Sequence, residues 1–188
     1  MHSIPPSPSA HRLSLKEATA EKHRLAERTA FNARMFRGLL PAQDYVNYLV
    51  QIRAIFAEIE RTPLPHSGLA RLAAVEADIQ ELLDQGLVPG GLVGATRAYV
   101  ARLAQASDAD RMAHVYLNYL ALMFGGQVMK ANVPSTGRLY DFEDMPAALR
   151  AVRAVQRDEW ADEVNAGFDH LIGLFEELEA ASSAIPRS

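Results

Sequence analysis

Residues 113–130, AHVYLNYLALMFGGQVMK, decide the fold class of this chain. Apolar side chains occur on nearly every side of the helix that this stretch predicts, and no strand-like alternation competes with it. We therefore expect a helix at the centre of an all-α fold, running from Arg111 toward residue 131, capped by Asp108 or Asp110 and ended by Pro134. The same apolar spacing predicts further helices over 14–34, 41–62, 69–85, 92–106 and 147–181, the last with a break near Arg157.

Composition limits the possible functions of the 188 residues. A net charge of -4 gives no support for a nucleic-acid partner, and the absence of cysteine excludes disulfides, thiolate metal sites and cysteine nucleophiles. No signal peptide or apolar run of membrane-spanning length occurs, so we expect a soluble, cytoplasmic protein without a membrane anchor. We divide the chain into a disordered leader (1–12), one helical domain (13–181) and a flexible tail (182–188).

Two adjacent glycines, Gly125 and Gly126, lie inside the predicted central helix. Each costs about 1 kcal/mol of helix stability relative to alanine, so the pair needs a compensating role. Close packing against another helix is one explanation, and a backbone platform for a flat ligand is the other. The residues alone leave both open.

His23 is the histidine with the most informative surroundings. A capping box formed by Ser14 and Glu17 predicts that the first helix starts at Ser14. On this helix, Thr19 and Glu27 lie four residues to either side of His23. An imidazole beside an apolar stripe, with a carboxylate to orient it, suits a metal ligand. A surface histidine paired with Glu27 is the alternative. No HExxH, paired ExxH or GxSxG motif is present, which argues against zinc proteases, diiron sites and serine hydrolases.

Four segments together resemble the heme oxygenase family: LKEATAEKHRLAE at 15–27, EIER at 58–61, AHVYLNYLALMFGGQVMK at 113–130 and FDHLIGLFEELE at 168–179. The resemblance implies an all-α domain that holds heme b between the first helix and the glycine-containing distal helix. It implies His23 as the proximal iron ligand, with Glu27 nearby, and Gly125 and Gly126 on the distal face. It further implies that Phe168 lines the heme pocket. The residues implied at the heme propionates are Lys16, Tyr116 and either Arg150 or Arg153.

The distal segment departs from the family pattern. Where the family usually reads GDLSGGQ, residues 121–127 read ALMFGGQ, which places Leu122 at the position of the aspartate that organises water near bound O2. Two of the three positions that correspond to the family's distal Tyr, Arg and Asn carry apolar residues in this chain, which indicates a drier distal pocket. These three positions are Ile52, Asn118 and Leu171, and the candidates for a replacement donor are Gln127, His114 and Tyr119.

The resemblance implies an enzyme that opens heme to biliverdin, CO and iron, with heme as both cofactor and substrate. The reaction would consume O2 and take its electrons from a reductase or ferredoxin. Leu122 raises an alternative, a non-catalytic heme carrier or sensor with the same fold. Thiamine-degrading hydrolases and diiron oxidases share a broadly similar helical architecture. The absence of cysteine argues against the former, and the absence of a multi-His, multi-Glu ligand set argues against the latter.

Overall fold

The computed structural model describes residues 13–183, so the predicted leader and the end of the predicted tail lie outside the described residues. Within 13–183 there are nine α-helices and no β-strand, which confirms the all-α prediction. No helix of this part is long and apolar enough to cross a membrane. The helices are α1 (Leu15–Arg28), α2 (Ala30–Phe36), α3 (Ala42–Ile59), α4 (Leu72–Asp84), α5 (Gly94–Gln105), α6 (Asp108–Phe124), α7 (Gly126–Lys130), α8 (Met145–Val155) and α9 (Ala161–Ser183).

The longest helix, α9, organises the packing because α1, α2, α5 and α6 all lie against it. Helix α3 packs against α4, α5 and α6 on the other side of the main core. Three 3₁₀ turns connect the longer elements, at Ser67–Leu69, Arg138–Tyr140 and Asp158–Trp160. The main core lies between these helices, and a second, smaller apolar cluster lies beside α1.

The first predicted helix is two helices in the structure. The capping box forms as expected, with the backbone N–H of Ser14 donating to Glu17 at 2.9 Å. The prediction of one helix to about residue 34 is wrong, because Thr29 is extended, with ψ 141°. The hydroxyl of Thr29 and the amide of Asn32 both donate to the carbonyl of Ala26, at 2.8 and 3.2 Å. These side chains replace the backbone bonds that a continuous helix would make.

The central helix also differs in its ends. Its N-cap is Ser107, whose hydroxyl accepts the N–H of Asp110 at 3.2 Å, rather than Asp108 or Asp110. It starts three residues earlier than expected and is interrupted at Gly125, which keeps helical dihedral angles (φ -70°, ψ -34°) between α6 and α7. The predicted break near Arg157 is confirmed, since this residue lies between α8 and α9.

Candidate functional site

Helix α1 is attached to the rest of the protein through one face only. Three long-range hydrogen bonds hold it to the α9 region: the N–H of Leu15 donates to Asp158 Oδ1 at 2.8 Å, Asn165 Nδ2 donates to the carbonyl of Ala18 at 3.2 Å, and Lys22 Nζ donates to Oδ1 of Asp169. The opposite face of α1 is exposed to solvent. The buried residues of the helix are Leu15, Thr19 and Ala26.

His23 lies at the edge of this attached face. Its side chain is 55% exposed, and its Nε2 lies 3.5 Å from Oε1 of Glu27, so the expected pair forms. The imidazole meets the ring of Phe168 on α9 edge to face, with the centroids 5.8 Å apart. Thr19 does not contribute a polar group to His23, because its hydroxyl donates to the carbonyl of Leu15 at 2.8 Å. The imidazole is therefore held against an aromatic wall and remains accessible.

An apolar cluster separate from the main core extends from His23 along α1. Helices α1 and α6 both pack on α9, and neither is a main packing partner of the other. The region where α1 and α6 both lie against α9 is called the α1–α6 cleft below; its residues, among them Leu117 of α6 and Phe168 of α9, are buried against one another. Apolar residues beside an accessible imidazole suit a large apolar ligand. The cluster comprises Leu15, Ala26, Ala113, Leu117, Trp160, Val164 and Phe168.

Polar groups converge at one end of the α1–α6 cleft. Burial raises the pKa of the Tyr116 hydroxyl, the nearby Arg153 guanidinium opposes this rise, and the Asp158 carboxylate adds to it. Since Asp158 also binds the N–H of Leu15, the start of α1 lies at the same end. Lys16 is the next residue and is exposed. The structure thus brings together two of the residues expected to bind carboxylates, Tyr116 and Arg153. The backbone of Lys16 starts α1 nearby, but no contact among the described residues joins its side chain to either of them.

The structure separates the two candidate arginines of α8. The guanidinium of Arg153 lies 5.9 Å from the ring centroid of Phe124, which is 55% exposed at the end of α6. Arg150 is exposed one turn earlier and forms no ion pair with any residue in 13–183. Arg153 therefore lies beside α6 and Tyr116, while no contact of the described residues connects Arg150 with the cleft.

The two glycines face two different aromatic rings. A Cβ atom on Gly126 would lie 2.4 Å from Cδ1 of Tyr140, and one on Gly125 would lie 3.1 Å from Cζ of Phe36. Close packing therefore explains Gly126 in this structure. Gly125 also approaches a side chain, but Phe36 is only partly buried, at the end of a short helix. A flat ligand could therefore approach the backbone at Gly125, whereas at Gly126 it would first have to displace a core residue.

Leu122 lies in the main hydrophobic core and is 5% exposed. Ile52 is in the same core, and Leu171 packs against it. Asn118 is buried, and its amide donates to the hydroxyl of Tyr99 at 3.0 Å. The four positions at which the family's distal polar network would fall therefore contain three apolar residues and one amide that is already bonded.

The three candidates for a replacement donor are also engaged within the protein. Gln127 donates to the carbonyl of Tyr140 at 3.0 Å, and the hydroxyl of Tyr119 donates to Glu60 at 2.8 Å. His114 is fully buried, with both ring nitrogens hydrogen-bonded. The expectation that one of them serves the distal pocket is not supported, because each already has a partner elsewhere.

The His114 network is the polar feature that sequence reasoning missed. Nδ1 of His114 lies 2.8 Å from the hydroxyl of Tyr99, and Nε2 lies 2.8 Å from Oε1 of Glu163. Burial lowers the pKa of His114, although Glu163 opposes the shift. Hydrogen bonds from Arg102 lower the pKa of Glu163. Since His114 and Glu163 are 49 residues apart, no local pattern could have connected them.

Comparison with known proteins settles the family. A model of the family described as heme oxygenase matches residues 10–166. The chain belongs to the heme oxygenase family. It is 30% identical to heme oxygenase 1 of Bos taurus over 205 aligned positions, covering 88% of this chain and 70% of the bovine protein. Heme oxygenase 1 of a Nostoc species is 25% identical, with 88% of this chain and 84% of the relative covered.

Solved heme oxygenase structures share the fold. Heme oxygenase-1 from Synechocystis, solved in complex with heme, superposes with a TM-score of 0.75 at 22% identity and covers 89% of this chain and 91% of its own. Heme oxygenase from Leptospira interrogans superposes with a TM-score of 0.73 at 22% identity and covers 88% of this chain and 100% of its own. The predicted heme oxygenase-like fold is thereby confirmed.

Proposed function

We propose that this protein is a heme oxygenase that opens heme to biliverdin, CO and iron, with His23 as the proximal ligand. The observation that carries the proposal is the accessible imidazole of His23, paired with Glu27 and held at the edge of the apolar α1–α6 cleft. Family membership supports heme as the ligand. A reductase or ferredoxin is the proposed source of electrons.

The residues of the cleft fit heme better than a metal ion held by protein alone. In residues 13–183, no three His, Asp or Glu side chains lie close enough together to hold a metal ion. A porphyrin supplies four ligands itself, so one imidazole is enough for the protein to provide. The apolar walls suit the ring of the porphyrin, and the cationic and hydroxyl groups at one end suit its propionates.

Each part of the cleft has a separate task in this proposal. His23 binds the iron, and Glu27 holds the imidazole in position through the other ring nitrogen. Leu117 and Phe168 exclude water from the ring, while Lys16, Tyr116 and Arg153 bind the propionates. Heme, when bound, supplies both the iron that activates O2 and the ring that is cut. With Leu122 in the core, backbone groups or water have to organise the oxygen side.

The test is heme binding and turnover of wild type and His23→Ala. We expect wild type to bind hemin with the absorption spectrum typical of imidazole ligation, and we expect the His23→Ala complex to lack that spectrum. His66→Ala, which removes a histidine outside the cleft, should keep the wild-type spectrum. Ascorbate in air should then convert the wild-type complex to biliverdin, detected by absorption. An unchanged spectrum in His23→Ala would refute the ligand assignment. Heme that stays bound without ring cleavage would identify a heme carrier or sensor.

A further inference from the structure

Phe36 occupies the surface of Gly125 from the side of α2. Its Cζ atom would lie 3.1 Å, and its Cε1 atom 3.5 Å, from a Cβ on Gly125. The backbone at Phe36 is fixed, because its carbonyl accepts the amide of Asn132 at 3.2 Å and Gly38 packs against the same asparagine. The ring therefore rests against bare backbone while its own main chain is tied to the end of α7.

A cavity next to this ring gives it room to turn. The cavity has a volume of about 280 Å³ and is lined by Glu27, Ala33, Phe36 and Arg37. Glu27 is one helical turn from His23, so the cavity begins beside the proposed iron ligand. Phe36 is only partly buried at the edge of the main core, and rotation of its side chain about the Cα–Cβ bond needs no backbone change.

We propose that Phe36 is a gate for heme entry: its flat ring covers Gly125 in the heme-free protein and turns into the neighbouring cavity when the porphyrin arrives. This inference rests on the proposed function, with Gly125 as the backbone platform against the porphyrin. A glycine backbone permits close approach of a flat group, and one flat group excludes another from the same surface. Binding then requires the open position, so the apparent affinity is reduced by the fraction of molecules that are open.

The arrangement predicts opposite effects for smaller and larger side chains at position 36. Phe36→Ala should raise the rate of hemin association about five- to tenfold, which corresponds to a closed ring favoured by about 1 kcal/mol. Phe36→Trp should slow association, because a larger ring covers more of the glycine surface. The dissociation rate should change little in both, since the gate is open in the bound state.

Stopped-flow absorption of hemin binding to the full chain measures the association rate, and transfer of bound hemin to an excess of a scavenger protein measures dissociation. Leu39→Ala is the matched control, because Leu39 follows α2, is 59% exposed and is not among the residues nearest to a Cβ on Gly125. Thermal unfolding checks that each variant folds. Phe36→Leu keeps the apolar volume without a flat ring, and it replaces Phe36→Ala if the alanine variant fails to fold.

The outcomes separate the gate from the proposed function. Faster association in Phe36→Ala, with slower association in Phe36→Trp and an unchanged Leu39→Ala control, supports the gate. Equal association rates in all variants overturn it, as does faster dissociation in Phe36→Ala, which would make Phe36 a wall of the loaded site. A wild-type hemin spectrum that does not depend on His23 overturns the proposed function instead, whatever the rates.

Discussion

Alanine substitutions at the adjacent glycines should have different effects on stability, although both residues have helical dihedral angles that alanine accepts. In Gly126→Ala the new methyl group would lie 2.4 Å from Cδ1 of Tyr140, whose ring is 1% exposed and fixed in the core. Carbon atoms in contact lie about 3.5–4.0 Å apart, so the overlap is more than about 1 Å. Something in the core must therefore shift.

The expected magnitude follows from two opposing effects. Overpacking of a filled core costs about 1–3 kcal/mol, and alanine returns up to about 1 kcal/mol of helix propensity. We therefore expect Gly126→Ala to lower the free energy of unfolding by about 1–2 kcal/mol. In Gly125→Ala the methyl group meets Phe36 at 3.1 Å, and that partly buried ring can move by a few tenths of an ångström. This variant should be as stable as wild type, or up to about 1 kcal/mol more stable.

Thermal and urea unfolding of the heme-free protein test this difference. A gap of about 2 kcal/mol between the two variants corresponds to about 4–8 °C in Tm for a chain of this length. Circular dichroism at 222 nm follows the loss of helix in both. Equal Tm values for the two variants, or a more stable Gly126→Ala, would refute the conclusion that Tyr140 requires a glycine at this position.

Five further substitutions test the buried polar groups and Leu122. Burial lowers the pKa of His114, so the unfolded chain binds the proton first, and the free energy of unfolding should fall as the pH drops below about 6.5. His114→Gln should flatten this slope in urea titrations, and His170→Gln should also flatten it, because burial lowers the pKa of His170 as well. Thr96→Val removes a buried hydroxyl without a partner and should be neutral or stabilising, whereas Thr62→Val loses a 3.0 Å bond to a carboxylate and should cost about 1 kcal/mol in the same assay. Leu122→Asp should lower the free energy of unfolding by about 3 kcal/mol or more near neutral pH and by less in acid, because burial raises the pKa of a carboxyl group; equal stability at both pH values would contradict its core position.

The helices could be predicted from the sequence because their signals are local. The capping box at Ser14 and the apolar spacing of α3 and α9 depend on residues three or four positions apart. The pairing of His23 with Glu27 is of the same kind. The end of α1 was missed for a local reason also, since Thr29 and Asn32 accept helical positions as readily as capping ones until a tertiary fold selects one.

The contacts that define the site surfaces could not be predicted, because they join distant parts of the chain. Phe36 and Gly125 are 89 positions apart in the sequence, and nothing near either residue specifies the other. The same holds for His114 and Glu163. The glycines illustrate the limit: their cost to the helix is visible in the sequence, but whether a side chain or a ligand covers each one depends on the packing of α2 and of the Arg138–Tyr140 turn.

The departure at Leu122 takes on a different meaning once the packing of α6 is known. If Leu122 replaced only the one carboxylate of the family pattern, neighbouring hydrogen-bond donors would remain free to organise water near bound O2. Gln127, Tyr119 and His114 are instead hydrogen-bonded to Tyr140, Glu60 and Glu163, and Asn118 is bonded to Tyr99. These four side chains stabilise the fold rather than the cleft, whereas Tyr116 of α6 lies at the end of the cleft. If ring cleavage occurs as proposed, its protons must therefore come from water that backbone groups hold in place, and turnover should be slowed in D2O without a comparable effect on hemin binding.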